Sequence, residues 1–300
     1  MPVPFRIVPL AAALAVAASP AAADEQFDLR CGTGVHGGEE KGFVVLPSGG
    51  VFCPLFADPK GVRSFAMYLV GKFPTNTAAR HLGAVGVGDG VALFRVGGPL
   101  PGEGFQAGIE AAVFSQFDLD APSDDILNAD YVVGIPATFR IGSSFSGRAR
   151  VYHQSSHLGD ELLLRAGTPI QRQNLSFESA ELILSAELGP LRAYAGGEWL
   201  FHRSPSTLDE LLAHGGMELR LGPARGARAV AAVDVKSSEQ QAWKPAVSTR
   251  AGVELAWWRH ADHPPRLTSV VVEYYEGPSP YGQFFLESTR YFGAGVQFQL

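Results

Sequence analysis

The feature that most constrains this chain is a period of two that recurs through a dozen runs of strand length and continues to the last residue. From Arg63 onward, segments with apolar residues at every second position are separated by clusters of Gly, Pro, Asn, Asp and Ser. Such alternation puts successive side chains on opposite faces, so each run predicts a strand with one apolar and one polar side. The runs are 63–73, 84–97, 105–117, 128–141, 145–157, 173–187, 191–203, 213–222, 228–236, 247–258, 266–275 and 287–300. In 128–141, Ala129, Tyr131, Val133, Ile135, Ala137, Phe139 and Ile141 share one face, opposite Asn128, Asp130, Thr138 and Arg140. In 247–258, Val247, Thr249, Ala251, Val253, Leu255 and Trp257 oppose Arg250 and Glu254. Run 173–187 breaks the rule: Leu175 and Phe177 are on one parity, Leu182 and Leu184 on the other, which predicts a bulge or a shifted register.

The polar faces carry both signs of charge, with Arg148, Arg150, Arg192, Arg220, Arg250 and Arg290 against Glu178, Glu198, Glu218, Asp234 and Glu254. A soluble sandwich turns such residues to water, whereas a membrane barrel turns them inward and gives its apolar residues to lipid. The connections favour the second. Those at 98–104, 142–144, 188–190, 223–227 and 259–265 are short, and those at 74–83, 118–127, 158–172, 204–212, 237–246 and 276–286 are longer. Outer-membrane barrels have short periplasmic turns, long external loops and an even number of strands. The last run, Phe292, Ala294, Val296, Phe298 and Leu300 alternating with Gly293, Gly295, Gln297 and Gln299, is similar to the C-terminal strand that barrel-assembly machinery reads, although it ends in Leu300 rather than an aromatic residue. Trp199, Phe201, Trp257 and Tyr274 fall near strand ends on apolar parity, as interfacial girdles do. The expected fold is therefore all-β, an outer-membrane antiparallel β-barrel of about twelve strands over residues 63–300. Opposite charges facing one lumen favour a plugged interior over an open pore.

Ahead of the barrel, Arg6, an apolar stretch from Ile7 to Ser19 and Ala21-Ala22-Ala23 before Asp24-Glu25 read as a secretory signal peptide, residues 1–23, cleaved after Ala23. No later run is long and apolar enough for a transmembrane helix. Export to the outer membrane follows, with outer-membrane lipids and the assembly machinery as partners. Residues 24–62 are rich in turn formers and read as an irregular N-terminal periplasmic segment. The formal charge is −6 and becomes −7 once Arg6 is removed, which argues against a nucleic-acid partner. Cys31 and Cys53, the two cysteines, are expected to pair in an oxidising periplasm.

Five stretches in order carry a resemblance: Phe56-Ala57-Asp58-Pro59, Phe117 to Asp124, Asn128-Ala129-Asp130-Tyr131, Tyr152 to Glu161, and Glu273 to Pro280. Together they resemble a bacterial family catalogued as domain of unknown function 1207, which implies a fold and no activity. Within the fourth stretch, His153-Gln154-Ser155 is similar to the His-x-Ser dyad of outer-membrane phospholipase A and lipid A deacylase. Alternate positions share a strand face, so His153 can act as base for a Ser155 nucleophile. The dyad implies hydrolysis of acyl esters of phospholipid or lipid A. Ser156 follows where the phospholipase pattern has Asn, and the third, orienting group is sought in Asp160 or Asn174. A polar strand end without catalysis fits the same residues, as does a metal site of His153, His157, Asp160 and Glu161 if the chain turns after His157. A non-enzymatic channel or structural barrel is the alternative function. No cofactor motif is present, because the glycines at 83, 86, 88 and 90 precede no helix pattern, and a bound Ca²⁺ is left open.

Overall fold

The computed structural model describes residues 42–47, 49–73, 79–100, 102–164, 173–222, 226–257 and 266–299. Among the described residues there are thirteen strands: β1 (Gly42–Val45), β2 (Ser64–Lys72), β3 (His81–Gly97), β4 (Gly104–Asp118), β5 (Asp125–Ile141), β6 (Phe145–Leu158), β7 (Leu175–Leu188), β8 (Leu191–Ser204), β9 (Leu211–Leu221), β10 (Ala227–Ser238), β11 (Pro245–Trp257), β12 (Arg266–Pro278) and β13 (Ser288–Gln299). From β2 to β13 each strand pairs antiparallel with the next, and β13 returns to β2 with Arg290 opposite Lys72 and Phe298 opposite Ser64. The sheet is thus a closed barrel of twelve strands, as the alternation implied. β1 lies on the free stretch of β3 beyond the reach of β2, pairing Gly42 with Gly97. Closure gives each barrel strand a neighbour on both sides, as an apolar solvent requires of a spanning sheet, although residues 87–92 of β3 lie opposite neither β2 nor β1.

The exposed positions of β6, Phe145, Ala149 and Val151, alternate with buried Ser146, Arg148, Arg150 and Tyr152. The same holds around the barrel, so its outer face is apolar and its interior charged. Short turns at 142–144 and 189–190 mark one end; the connections 159–174, 205–210 and 279–287 mark the other. The length contrast is weaker than the sequence suggested, because β4 and β5 run on to Asp118 and Asp125 and leave only 119–124 between them.

Three expectations are corrected here. β7 has no bulge, since its register with β6 is continuous from Ala186 to Leu175. Leu175 and Phe177 break parity because the lumen face itself is apolar near the long-loop end, where Phe177 packs edge-on against Tyr152 with ring centroids 6.1 Å apart. The irregularity lies in the neighbour, where Glu178 faces His202 while Ser179 faces Leu200, leaving Phe201 as the extra residue of β8. Glu178 and Arg290 are outside rather than inside: Glu178 shares the parity of Leu182 and Leu184, and Arg290 pairs with Glu276 at 3.7 Å on the exposed rim. Trp257 has the expected position in β11, but its side chain is outside the described residues, as are residues 1–41 with the expected signal peptide and Cys31.

The segment read as periplasmic enters the barrel. Val51, Cys53, Leu55, Phe56, Ala57 and Asp58 are all buried. The cause is reciprocal need: this irregular backbone has carbonyls that no strand pairs, and the lumen has guanidinium groups that require acceptors. Arg95 donates to Gly49 O (2.9 Å), Arg140 to Val51 O (2.8 Å), Arg192 to Cys53 O (2.9 Å) and Arg250 to Phe56 O (3.2 Å). Arg63 turns back on the segment, reaching Phe56 O and Asp58 O at 2.8 Å each, Leu55 O, and Gln297 Oε1 at 3.2 Å. Phe56 N–H donates to Glu218 (2.6 Å), and Lys236 pairs with Asp58 (2.9 Å). Phe52 lies under the guanidiniums of Arg148 and Arg192 at 5.3 and 4.8 Å.

From the opposite end the loop 279–287 folds inward. Gly282 N–H and Gln283 N–H donate to Asp130 (3.1 Å) and Asn128 (3.1 Å), and Gln283 Nε2 reaches Ser156 O (2.8 Å). A Cβ on Gly282 would meet Ser156 Oγ at 2.5 Å, so only glycine permits this approach. Asp130 also accepts from Ser156 Oγ, from Asn128 Nδ2 at 2.9 Å and from Lys60 Nζ at 2.5 Å. One carboxylate thus joins the inner segment, the loop and the inward side of β6.

Replacing Arg63 with Met should remove the guanidinium from three buried carbonyls, Leu55 O, Phe56 O and Asp58 O, which keep only the longer bonds from Asp58 N–H (3.3 Å), Arg250 (3.2 Å) and Gly61 N–H (3.3 Å), so that each loss costs about 0.5–1.5 kcal/mol rather than the full penalty of an unmet carbonyl. The barrel should still assemble, with a denaturant midpoint clearly below wild type in detergent micelles. An unchanged midpoint would mean that the inner segment contributes nothing to stability.

Candidate active site

His153, Ser155 and His157 lie on the outward face of β6, in line with Val151, while Tyr152, Gln154, Ser156 and Leu158 point to the lumen side. The parity read from the sequence therefore agrees with the strand. Register places Val133 of β5 and Glu178 of β7 on either side of His153, and Tyr131 and Ser176 on either side of Ser155. Tyr131 is an exposed aromatic on the outer surface, so Ser155 stands at the level of an aromatic side chain near the long-loop end. Trp199 and Phe201, also exposed, occupy β8, on the far side of β7, with ring centroids 5.6 Å apart.

His153 Nδ1 lies 2.9 Å from Glu178 Oε1, and the second oxygen of Glu178 meets His202 Nδ1 on β8. Three adjacent strands thereby hold one carboxylate between two imidazoles on the outer face. The side chains are 42% exposed at His153, 32% at Glu178 and 80% at His202, so all three are reachable from outside the barrel. A carboxylate that accepts from Nδ1–H fixes the tautomer in which Nε2 carries the lone pair, and that nitrogen is then free to take a proton. Ser155 is two residues along the same face, about 7 Å away between Cα atoms on strand geometry.

The other expected residues are placed elsewhere. Asp160 is the exposed first residue of a short helix, α1 (Asp160–Leu164), and the carboxylate bonded to His153 is Glu178, not Asp160. Asn174 donates to Ser204 Oγ at 3.4 Å. His157 packs edge-on against Tyr131 at 5.7 Å, and Glu161 is exposed in α1, so the four-residue metal site from this stretch is not assembled. Among the described residues, the group of metal-ligating side chains close enough to share an ion is Glu181, Glu198 and His214, inside the lumen.

Sequence reasoning sets Glu178 among the inward charges and so misses it; the signal that could have found it is its parity, which is that of Leu182 and Leu184, the outward set. Strict alternation from Trp199 and Phe201 would send His202 to the lumen, and only the extra residue at Phe201 turns it out beside Glu178. The hydrogen bonds of the 279–287 loop to Asn128, Asp130 and Ser156 back the inward side of the same strand pair, which steadies β5 and β6 where the outward residues stand.

No curated protein matches this chain in sequence. Among solved structures, outer membrane phospholipase A from Escherichia coli is similar with a TM-score of 0.53 at 11% identity, covering 81% of this chain and 93% of that one. The Salmonella typhi outer membrane phospholipase, a dimer with bound calcium, gives 0.54 at 11% identity over 81% and 94%. The KdgM porin gives 0.42 at 10% identity, over 80% of this chain and 99% of that one. At these identities the likeness is one of fold: an outer-membrane β-barrel. The profile described as protein of unknown function, DUF1207, matches residues 31–300. A match over nearly the whole barrel and its inner segment settles the family, and the chain belongs to DUF1207.

Proposed function

We propose that this barrel hydrolyses acyl esters of outer-membrane lipids, phospholipid or lipid A, with Ser155 as nucleophile, His153 as general base and Glu178 as the group that orients His153. The observation that carries the reading is the outward-facing Glu178 bonded to His153 on the face that also holds Ser155. In the first step Ser155 Oγ attacks the ester carbonyl while His153 Nε2 accepts the hydroxyl proton. The imidazolium so formed is stabilised by Glu178 and returns its proton to the departing alcohol oxygen, leaving an acyl-enzyme. Water then attacks the acyl group with the same base, releasing the fatty acid and restoring Ser155. The level of Ser155 beside Tyr131 suits this substrate, because aromatic belts sit at the headgroup boundary, where lipid esters lie. The likeness to an outer membrane phospholipase supports the fold for such chemistry, and the charge-filled, occupied lumen favours it over passage of solutes.

The test is fatty-acid release from phospholipid vesicles and from lipopolysaccharide by the purified, heat-modifiable barrel. Ser155→Ala and His153→Ala should lose at least about 10²-fold, the usual value of general-base assistance. Glu178→Ala should lower kcat while leaving KM nearly unchanged, and Ser156→Ala, whose hydroxyl points inward, should retain hydrolysis. Wild-type activity in Ser155→Ala would exclude the dyad. Inactivity of the wild type on every outer-leaflet lipid, together with solute-dependent swelling of liposomes, would favour the channel.

Export implies two further outcomes. The mature protein should fractionate with the outer membrane and migrate differently before and after boiling. A non-reduced digest should contain Cys31 joined to Cys53; alkylation of both thiols in the native protein would refute that pairing.

A further inference from the structure

Glu181 on β7 and Glu198 on β8 are direct cross-strand partners on the lumen face. Like charges set opposite each other destabilise a sheet unless something positive stands with them. Glu181 has that compensation, since Arg148 Nε and Arg150 Nη2 reach its two oxygens at 2.9 and 2.8 Å. Glu198, only 7% exposed, has hydroxyl donors instead, Tyr152 and Ser179. Asp234, 1% exposed, likewise accepts from Tyr194 OH and meets His214 Nε2 at 2.6 Å. Among the described residues neither Glu198 nor Asp234 has an arginine or lysine within ion-pair distance. Two buried carboxylates without a cation in contact are expensive.

His214 adds an independent sign. Its side chain is fully buried, Asp234 holds Nε2, and Nδ1 has no hydrogen-bond partner. One ligand atom each from Glu181, Glu198 and His214 lies within 4.8 Å of the others. Ligands on opposite sides of an ion at about 2.0–2.2 Å stand about 4 Å apart, so small side-chain rotations bring the three onto one centre. Each carboxylate oxygen has two lone pairs, so Glu181 can keep Arg148 on one oxygen and Arg150 on the other and still ligate. With the unpartnered Nδ1 as the ligand atom, Asp234 on Nε2 takes the place of the outer partner that metal-bound histidines characteristically have, fixing the ring and raising its basicity. Of these groups Glu198 and Asp234 border a lumen cavity of about 190 Å³ at the long-loop end, lined also by Lys60, Lys236 and Phe177, so an ion reaches the site from the Glu198 side.

We infer that Glu181, Glu198 and His214 form a binding site for a divalent cation inside the lumen, with Asp234 as the outer support of His214. One imidazole with two carboxylates suits zinc or a similar transition-metal ion, whereas calcium takes six to eight oxygens. The site is separate from the outward Ser155, His153 and Glu178, and does not depend on the hydrolase reading.

The experiment uses the full chain without a histidine tag, stripped with chelator, reloaded with Zn²⁺, freed of excess by gel filtration and analysed for zinc per chain by mass spectrometry. One zinc per chain is expected. His214→Ala and Glu198→Gln should each weaken retention more than tenfold, and Asp234→Asn by about 10- to 100-fold, as for other outer partners of metal-bound histidines. The double variant His153→Ala, His202→Ala should keep the zinc. Heat-modifiability identifies variants that have folded, and Co²⁺ loading of the wild type supplies a readout independent of any variant, a visible absorption band from the bound ion. Zinc at blank level, no cobalt band, retention unaffected by His214→Ala, or loss in the His153 and His202 variant would each overturn the site.

Discussion

Everything inside this barrel depends on charge being met within a closed, narrow space. A spanning sheet must give its apolar side chains to lipid, and the alternation that does so drives the other half of each strand inward. Here that half is rich in arginine and glutamate. Arg140 with Glu187, Arg150 with Glu110 and Glu181, and Arg228 with Glu254 neutralise one another across strands at 2.6–2.9 Å. Side chains alone do not supply every acceptor. The backbone carbonyls of the inner segment accept from Arg95, Arg140, Arg192 and Arg250, while the strand side chains satisfy a stretch of chain that has no ladder of its own.

What could be read beforehand follows from this physics. The barrel strands were legible to within a few residues, because a period of two is a local property that needs no knowledge of the partner. The inner position of residues 49–63 was not, because the segment has no period and its bonds are made to strands far away in sequence, such as Phe56 to Glu218 and Asp58 to Lys236. β1 escaped for the same reason, being four residues laid on a stretch of β3 that β2 leaves uncovered. At the outer face, the directions of His153 and Ser155 were available from parity, whereas His202 depended on the inserted Phe201. Asp160 was close in number to His153 but beyond the end of the strand; Glu178, twenty-five residues away, was adjacent through the register.

The outward residues rest on a scaffold held from within. Asp130 gathers Lys60 from the inner segment, Gly282 from the long loop, Asn128 from its own strand and Ser156 from β6. Ser156 and Ser155 are consecutive, one committed to the interior and the other to the lipid side. The network therefore locks the backbone that carries Ser155 without touching its hydroxyl, which is how a surface group is kept in one geometry on an otherwise lipid-facing strand.

The route of the inner segment also sets an order on assembly. It runs directly into β2 through Arg63, and β2 forms the last pairing of the ring with β13. Its partners are spread over β3, β5, β8, β9, β10 and β11, which stand on different sides of the ring and are far apart when the sheet is open. These bonds cannot all exist before the sheet has curled. Because the segment lies inside the finished ring, closure of β2 on β13 is also the moment at which it is enclosed.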